Sequence, residues 1–82
     1  MLDERTNDLV AIGASVTANC QPCLDHHVAS ARNHGVSDED ISAAVEVGKQ
    51  VRRGAGAAMD KKVVDVLAKA ASACAPSGCG CG

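Results

Sequence analysis

No Phe, Tyr or Trp occurs anywhere in the 82 residues, and this limits the possible folds more than any motif does. The core must be built from Ala, Val, Leu and Ile. Such side chains let helices approach closely, but each contributes little area, at roughly 25 cal/mol per Å² buried. A chain of this length forms one domain with a modest core. The expectation is a small all-α bundle that oligomerisation completes.

Apolar periodicity places the helices. Leu9, Ile12, Gly13 and Val16 recur at the i, i+3, i+4, i+7 spacing of a helix face. A first helix from Thr6 to about Asn19 follows, with Thr6 or Asn7 as cap and Asp8 in the positive first turn. Gly13 within that face suggests a close helix crossing. Pro22 breaks the run and suits the first position of a new helix. The second helix should run from Pro22 to about Asn33, burying Leu24, Val28 and Ala31, with Gly35 as its left-handed C-cap residue. Ser37 can cap a third helix from Asp38 to about Arg53, whose acids Asp38, Glu39 and Asp40 fall in the first turn. Ile41, Ala44, Val45, Gly48 and Val51 should face inward. Gly54-Ala55-Gly56 reads as a turn, and a fourth helix to about Ala73 carries Met59, Val63, Val66, Leu67 and Ala70 on one stripe. Residues 1–73 thus form a four-helix domain. Residues 74–82, with Pro76, three glycines and three of the five cysteines counting Cys74, form a tail expected to be mobile.

Charge excludes some partners. Eight Lys+Arg against ten Asp+Glu give a formal net charge of -2. With no long basic run and no aromatic stacking platform, nucleic acid is not an expected partner. Lys49, Arg52 and Arg53 are the one basic cluster. They read as a solvated last helical turn, with an anion-binding patch as the competing reading. The N-terminus lacks an apolar signal core and no apolar run spans a membrane, so a cytoplasmic protein is expected. In a reducing compartment its cysteines read as redox-active or metal-binding, not as a disulfide scaffold.

Asn19-Cys20-Gln21-Pro22-Cys23-Leu24-Asp25-His26-His27 carries the chemistry. A Cys-x-x-Cys pair at a helix start places thiolates near free backbone N–H groups, which lowers the thiol pKa from about 8.5. One thiol can attack and the other resolve. His27 lies four residues after Cys23, on the same face, where it can take and return a proton. His26 points elsewhere and reads as a surface residue. His34, beside Gly35, reads as a cation at a helix C-terminus. Cys23 has His27 at i+4 and is the preferred attacking thiol, with Cys20 resolving.

The stretch from Asp8-Leu9-Val10-Ala11 through Cys20-Gln21-Pro22-Cys23 to His27, then Ala31-Arg32-Asn33-His34-Gly35-Val36-Ser37, resembles the carboxymuconolactone decarboxylase superfamily. Within it, the likeness is to the alkylhydroperoxidase D-like branch. The resemblance covers roughly residues 5 to 55. It implies an all-α bundle assembled as a trimer or hexamer, and thiol-dependent reduction of a peroxide or disulfide substrate. Electrons would come from a protein or small-molecule thiol donor, with no cofactor. Cys20 and Cys23 would form the redox pair and His27 the proton relay. Asp8 stands where the family usually has Glu, one methylene longer. Asp8 and Cys20 are separated by about 18 Å of straight helix, so an acid arm to the relay requires the helix hairpin to fold back.

Two rival functions remain at this level. A zinc- or copper-binding module would use Cys20, Cys23 and His26 or His27 with the tail thiols Cys79 and Cys81. A lactone decarboxylase, the superfamily's other branch, gives a dithiol no evident task. Cys74, Cys79 and Cys81 could exchange disulfides with the core pair, bind a soft ion, or be incidental.

Overall fold

A computed structural model describes residues 1–73, and the side chains of residues 1–69. Cys74, Cys79 and Cys81, and with them the expected tail, lie outside the described residues. The class is all-α, as expected. Among the described residues there are three helices: α1 (Glu4–Thr17), α2 (Gln21–Asn33) and α3 (Asp38–Ala73). The expected count of four is corrected.

The two short connections have the same construction. At the end of α1, Asn19 adopts φ 56°, while its N–H reaches the Val16 carbonyl at 3.1 Å and that of Cys20 reaches Ser15 at 3.0 Å. At the end of α2, Gly35 adopts φ 75°, with Gly35 N–H on Arg32 at 3.1 Å and Val36 N–H on Ala31 at 3.0 Å. Both are the paired bonds of a Schellman stop. The first helix therefore ends at Thr17, two residues before the sequence expectation. It also starts earlier, because Asp3 is the cap: its carboxylate accepts the Thr6 N–H at 2.7 Å. Ser37 caps α3 as expected, accepting the Asp40 N–H at 3.1 Å.

α3 continues through Gly54-Ala55-Gly56 without interruption. Two helical glycines cost about 1 kcal/mol each relative to Ala. A new helix after Gly56 would begin at Ala57-Ala58-Met59, none of which can cap its orphan N–H groups. Continuing the helix is the cheaper solution. Its 36 residues rise about 54 Å, and the molecule's long axis reaches 63 Å.

α1 is the central element, packed against both α2 and α3. Ile12, Ala31, Val36 and Ile41 form the buried cluster, flanked by Leu9, Leu24, Val28, Ala44 and Val45. The crossing anticipated at Gly13 is with Gly48. A Cβ on Gly48 would lie 2.5 Å from the Gly13 carbonyl oxygen and 2.9 Å from Val16 Cβ. The Thr17 hydroxyl spans the crossing, 3.0 Å from the carbonyls of both Gly13 and Gly48. Beyond it the side chains of α3 are exposed from Gln50 to Lys69. Met59, Val63, Val66 and Leu67, expected on one stripe of a fourth helix, are exposed, since the bend that would return them to α1 does not form; Val51, expected to face inward, is exposed as well. The side chain of Ala70 lies outside the described residues. No helix among the described residues is long and apolar enough to cross a membrane.

Alanine substitution should give opposite signs at two glycines of the same helix. Gly48→Ala forces the crossing open and should lower stability by about 1–3 kcal/mol. Gly56→Ala, with nothing within 4 Å of its Cβ, should raise it by up to about 1 kcal/mol. Urea denaturation followed by circular dichroism at fixed protein concentration measures both. A neutral Gly48→Ala would contradict the close crossing.

Candidate functional site

The stop at Asn19 directs the chain into a new helix, and the cysteines occupy its beginning. Cys20 is the N-cap residue of α2, extended at φ -96°, ψ 97°, and Pro22 sits in the first turn. The helix opens at Gln21, one residue before the expected Pro22. Cys23 follows in the same turn, and the two sulfurs form a disulfide with a Cα–Cα distance of 5.2 Å. His27 lies one turn further on and is half-buried. Its ring meets that of His26 edge-on, with centroids 5.0 Å apart, while His26 is exposed.

The hairpin of α1 and α2 does fold back, and it takes Asp8 to the far end of α2. Asp8 is 4 % exposed. The Ser30 hydroxyl donates to its Oδ1 at 2.9 Å, and His34 Nδ1 lies 2.6 Å from Oδ2. His34 Nε2 reaches Glu4 at 3.0 Å, and the Arg5 Nε–H donates to the His34 carbonyl at 2.9 Å. When protonated, a histidine with a carboxylate on each nitrogen donates from both. The hydrogen bond to Asp8 raises the His34 pKa above its ordinary value, aided by the Glu4 charge. In return, the bond from His34 first and that from Ser30 second hold the Asp8 carboxyl below its ordinary value, against the effect of burial.

His34 thus sits at the helix end, as expected, with its affinity for a proton raised, but its partners on α1 could not be inferred from its position beside Gly35. Asp8, assigned by resemblance to an arm of the relay, has its hydrogen bonds with Ser30 and His34. His27 acts on it as a nearby charge that also lowers its pKa. Asp8 lies in the second turn of α1, not the first. Ser30 and Glu4 were not singled out in the sequence. Their spacing to His34, with Ser30 one turn before it and Glu4 one turn before Asp8, is the signal that could have found them.

At the end of α2 opposite Asp8, Cys20 lines a cavity of about 290 Å³ with Val16, Asn19, Leu24, Lys49 and Arg52 among its other walls. The Arg52 guanidinium donates through Nη1 to Asn19 Oδ1 at 2.9 Å and to the Val16 carbonyl at 3.3 Å. The expectation that Lys49, Arg52 and Arg53 close a helix is corrected, since α3 runs on past them; Arg52 and Arg53 are exposed as expected, and Lys49 and Arg52 border this cavity. Among the described residues no three His, Cys, Asp or Glu side chains converge as a metal site.

These features define a small all-α protein with a Cys-x-x-Cys disulfide at a helix N-terminus and a buried carboxylate–imidazolium tie. The sequence profile of the carboxymuconolactone decarboxylase family matches residues 1–61, and the chain belongs to that family. It is 36% identical over 66 residues to "Uncharacterized protein 4 in cox locus" of Paracoccus denitrificans, covering 80% of this chain and 60% of that protein. It is 40% identical over 48 residues to "Alkyl hydroperoxide reductase AhpD" of Hyphomonas neptunium, covering 58% of this chain and 27% of that one. The chain therefore spans less than two thirds of either relative. No solved structure matches it.

The pair Asp8–His34 predicts a stability window. A raised His34 pKa means that its contribution is complete below about pH 6.5 and is lost as pH rises through the folded value. A depressed Asp8 pKa means that its contribution is complete above about pH 3.9 and is lost as pH falls through the folded value. The urea midpoint should therefore plateau between about pH 4 and 6.5 and decline on either side. Asp3, whose carboxyl is lowered by the Thr6 amide, adds to the acid decline. His34→Gln should abolish the alkaline decline, and an unchanged alkaline slope would exclude the tie as its cause.

Proposed function

We propose that the protein is a thiol-dependent peroxidase-like oxidoreductase that cycles Cys20 and Cys23 between dithiol and disulfide. The observation that carries this reading is the Cys20–Cys23 disulfide at the start of α2, one helical turn before His27. Family membership and the likeness to an alkyl hydroperoxide reductase support it. In the reduced protein the α2 amides stabilise a thiolate at Cys23. That thiolate attacks one peroxide oxygen, the O–O bond breaks, and an alcohol or water leaves with Cys23 as a sulfenic acid. Cys20 then attacks the Cys23 sulfur, expelling water and closing the disulfide. His27 takes the thiol proton and delivers it to the leaving oxygen. Two electrons from a thiol donor reopen the disulfide. Asp8 acts on this site through the α1–α2 tie and its charge near His27.

We also propose a second copy of the chain as a partner. The exposed stripe Met59, Val63, Val66 and Leu67 lies on a helix segment with no packing partner among the described residues. Isolated helices of such length are marginal in water. Leu9, Val10, Ala14, Val47 and Val51 line an open apolar groove on the α1–α3 face that can receive that stripe from a neighbour. Leu67→Asp with Val63→Asp should shift the species seen by light scattering toward monomer. A wild-type monomer at micromolar concentration would exclude this assembly.

Peroxide consumption coupled to thiol oxidation tests the activity. Cys23→Ser should reduce it to background, and His27→Ala should slow it by about a hundredfold or more. The reading fails if wild type consumes neither hydrogen peroxide nor an organic hydroperoxide with any thiol while the cysteine pair stays reduced.

A further inference from the structure

We propose that the cavity beside Cys20 receives a small anionic thiol, one bearing a carboxylate, as the electron donor that reopens the Cys20–Cys23 disulfide. This deepens the redox reading and rests on it. Cys20 is the cysteine that lines the cavity; Cys23 is not part of its wall. A thiol held there lies beside Cys20, and the attack is assigned to the Cys20 sulfur. The volume of about 290 Å³ is at the small end of ligand pockets, which favours a small molecule over a polypeptide segment.

The charge of the walls selects the donor. Lys49 and Arg52 are the two ionisable lining residues apart from Cys20, and neither is opposed by an acidic residue in the wall. This concentrates positive charge in a chain whose formal net charge is -2. Arg52 is held in place through its Nη1 bonds to Asn19 and Val16. Those bonds do not use Nε or Nη2, so its planar fork keeps donors for a carboxylate. Lys49 contacts Glu46 at 3.3 Å in an i,i+3 pair of partly exposed side chains, a contact that is weak in water and readily exchanged for a ligand. Val16, Leu24 and Val45 supply an apolar side for a short carbon chain between carboxylate and sulfur.

The donor thiolate attacks the Cys20 sulfur. A donor–Cys20 disulfide forms, the Cys20–Cys23 bond breaks, and Cys23 leaves as a thiolate that takes up a proton. A second donor thiolate then attacks the donor sulfur of that mixed disulfide. The donor disulfide departs and Cys20 is released as a thiolate. Two thiols have been oxidised and one protein disulfide reduced.

The test follows reduction of the oxidised full-length protein by mercaptopropionate, mercaptoethanol and cysteamine, with rates normalised to the thiolate concentration of each. Wild type should favour the anionic donor over the cationic one by about tenfold or more, and added salt should erode that preference. Lys49→Gln combined with Arg52→Gln should slow mercaptopropionate by about tenfold and leave mercaptoethanol within about twofold. Should the double variant fail to fold, Lys49→Glu alone must show the same selective loss, since Lys49 supports no other element. Equal rates for all three donors, or a loss that ignores donor charge, would overturn the inference and leave the redox reading standing. A disulfide that no thiol can open would overturn both.

Discussion

At the α1–α3 crossing the two backbones approach closely at a pair of glycines. Gly13 and Gly48 make that possible, and a single methyl group at Gly48 would collide with the Gly13 carbonyl. In a chain without aromatic residues, close backbone approach replaces bulk as the source of packing contacts. The consequences extend to both sides of α1. Because α3 lies so near, Arg52 reaches the carbonyl of Val16 and the side chain of Asn19 at the end of α1. The cavity beside Cys20 is a product of that proximity.

The other face of α1 is organised by charge. Asp8 is buried, and a buried carboxylate is tolerated only when its oxygens are satisfied and its charge is compensated. Ser30 and His34 do both from the last turns of α2. The tie fixes the far end of the hairpin, and the Schellman stop at Asn19 fixes the near end. α2 is consequently held at both termini, and the disulfide is carried on a helix whose position is set independently of the cysteines. Removing a buried polar network of this kind costs more than the sum of its bonds suggests, because each remaining member is left unsatisfied.

What the sequence made legible was mostly local. Pro22, Gly35 and Ser37 each act within a few residues, and each marked its boundary to within one position. The cysteine pair and His27 were visible for the same reason, their spacing being a property of one helix. Interactions across helices were not. His34 looked like a simple helix-end cation because its carboxylate partners lie 26 and 30 positions back in the chain. Gly54 and Gly56 misled in the opposite sense. Glycine permits a turn but does not impose one, and without a capping residue after Gly56 the helix had no better alternative. Gly13, by contrast, was correctly read as a contact point, although Gly48 could be named as its partner only from the structure.

Asn19 joins two requirements that other proteins assign to different residues. Its backbone must turn through a left-handed conformation, which Asn tolerates better than most side chains, and its amide oxygen must steady Arg52. Glycine would satisfy the first and forfeit the second. Position 19 is therefore a point where a single exchange could preserve the architecture while freeing Arg52. Glycine at that position would be expected to keep the backbone turn and release the Arg52 guanidinium.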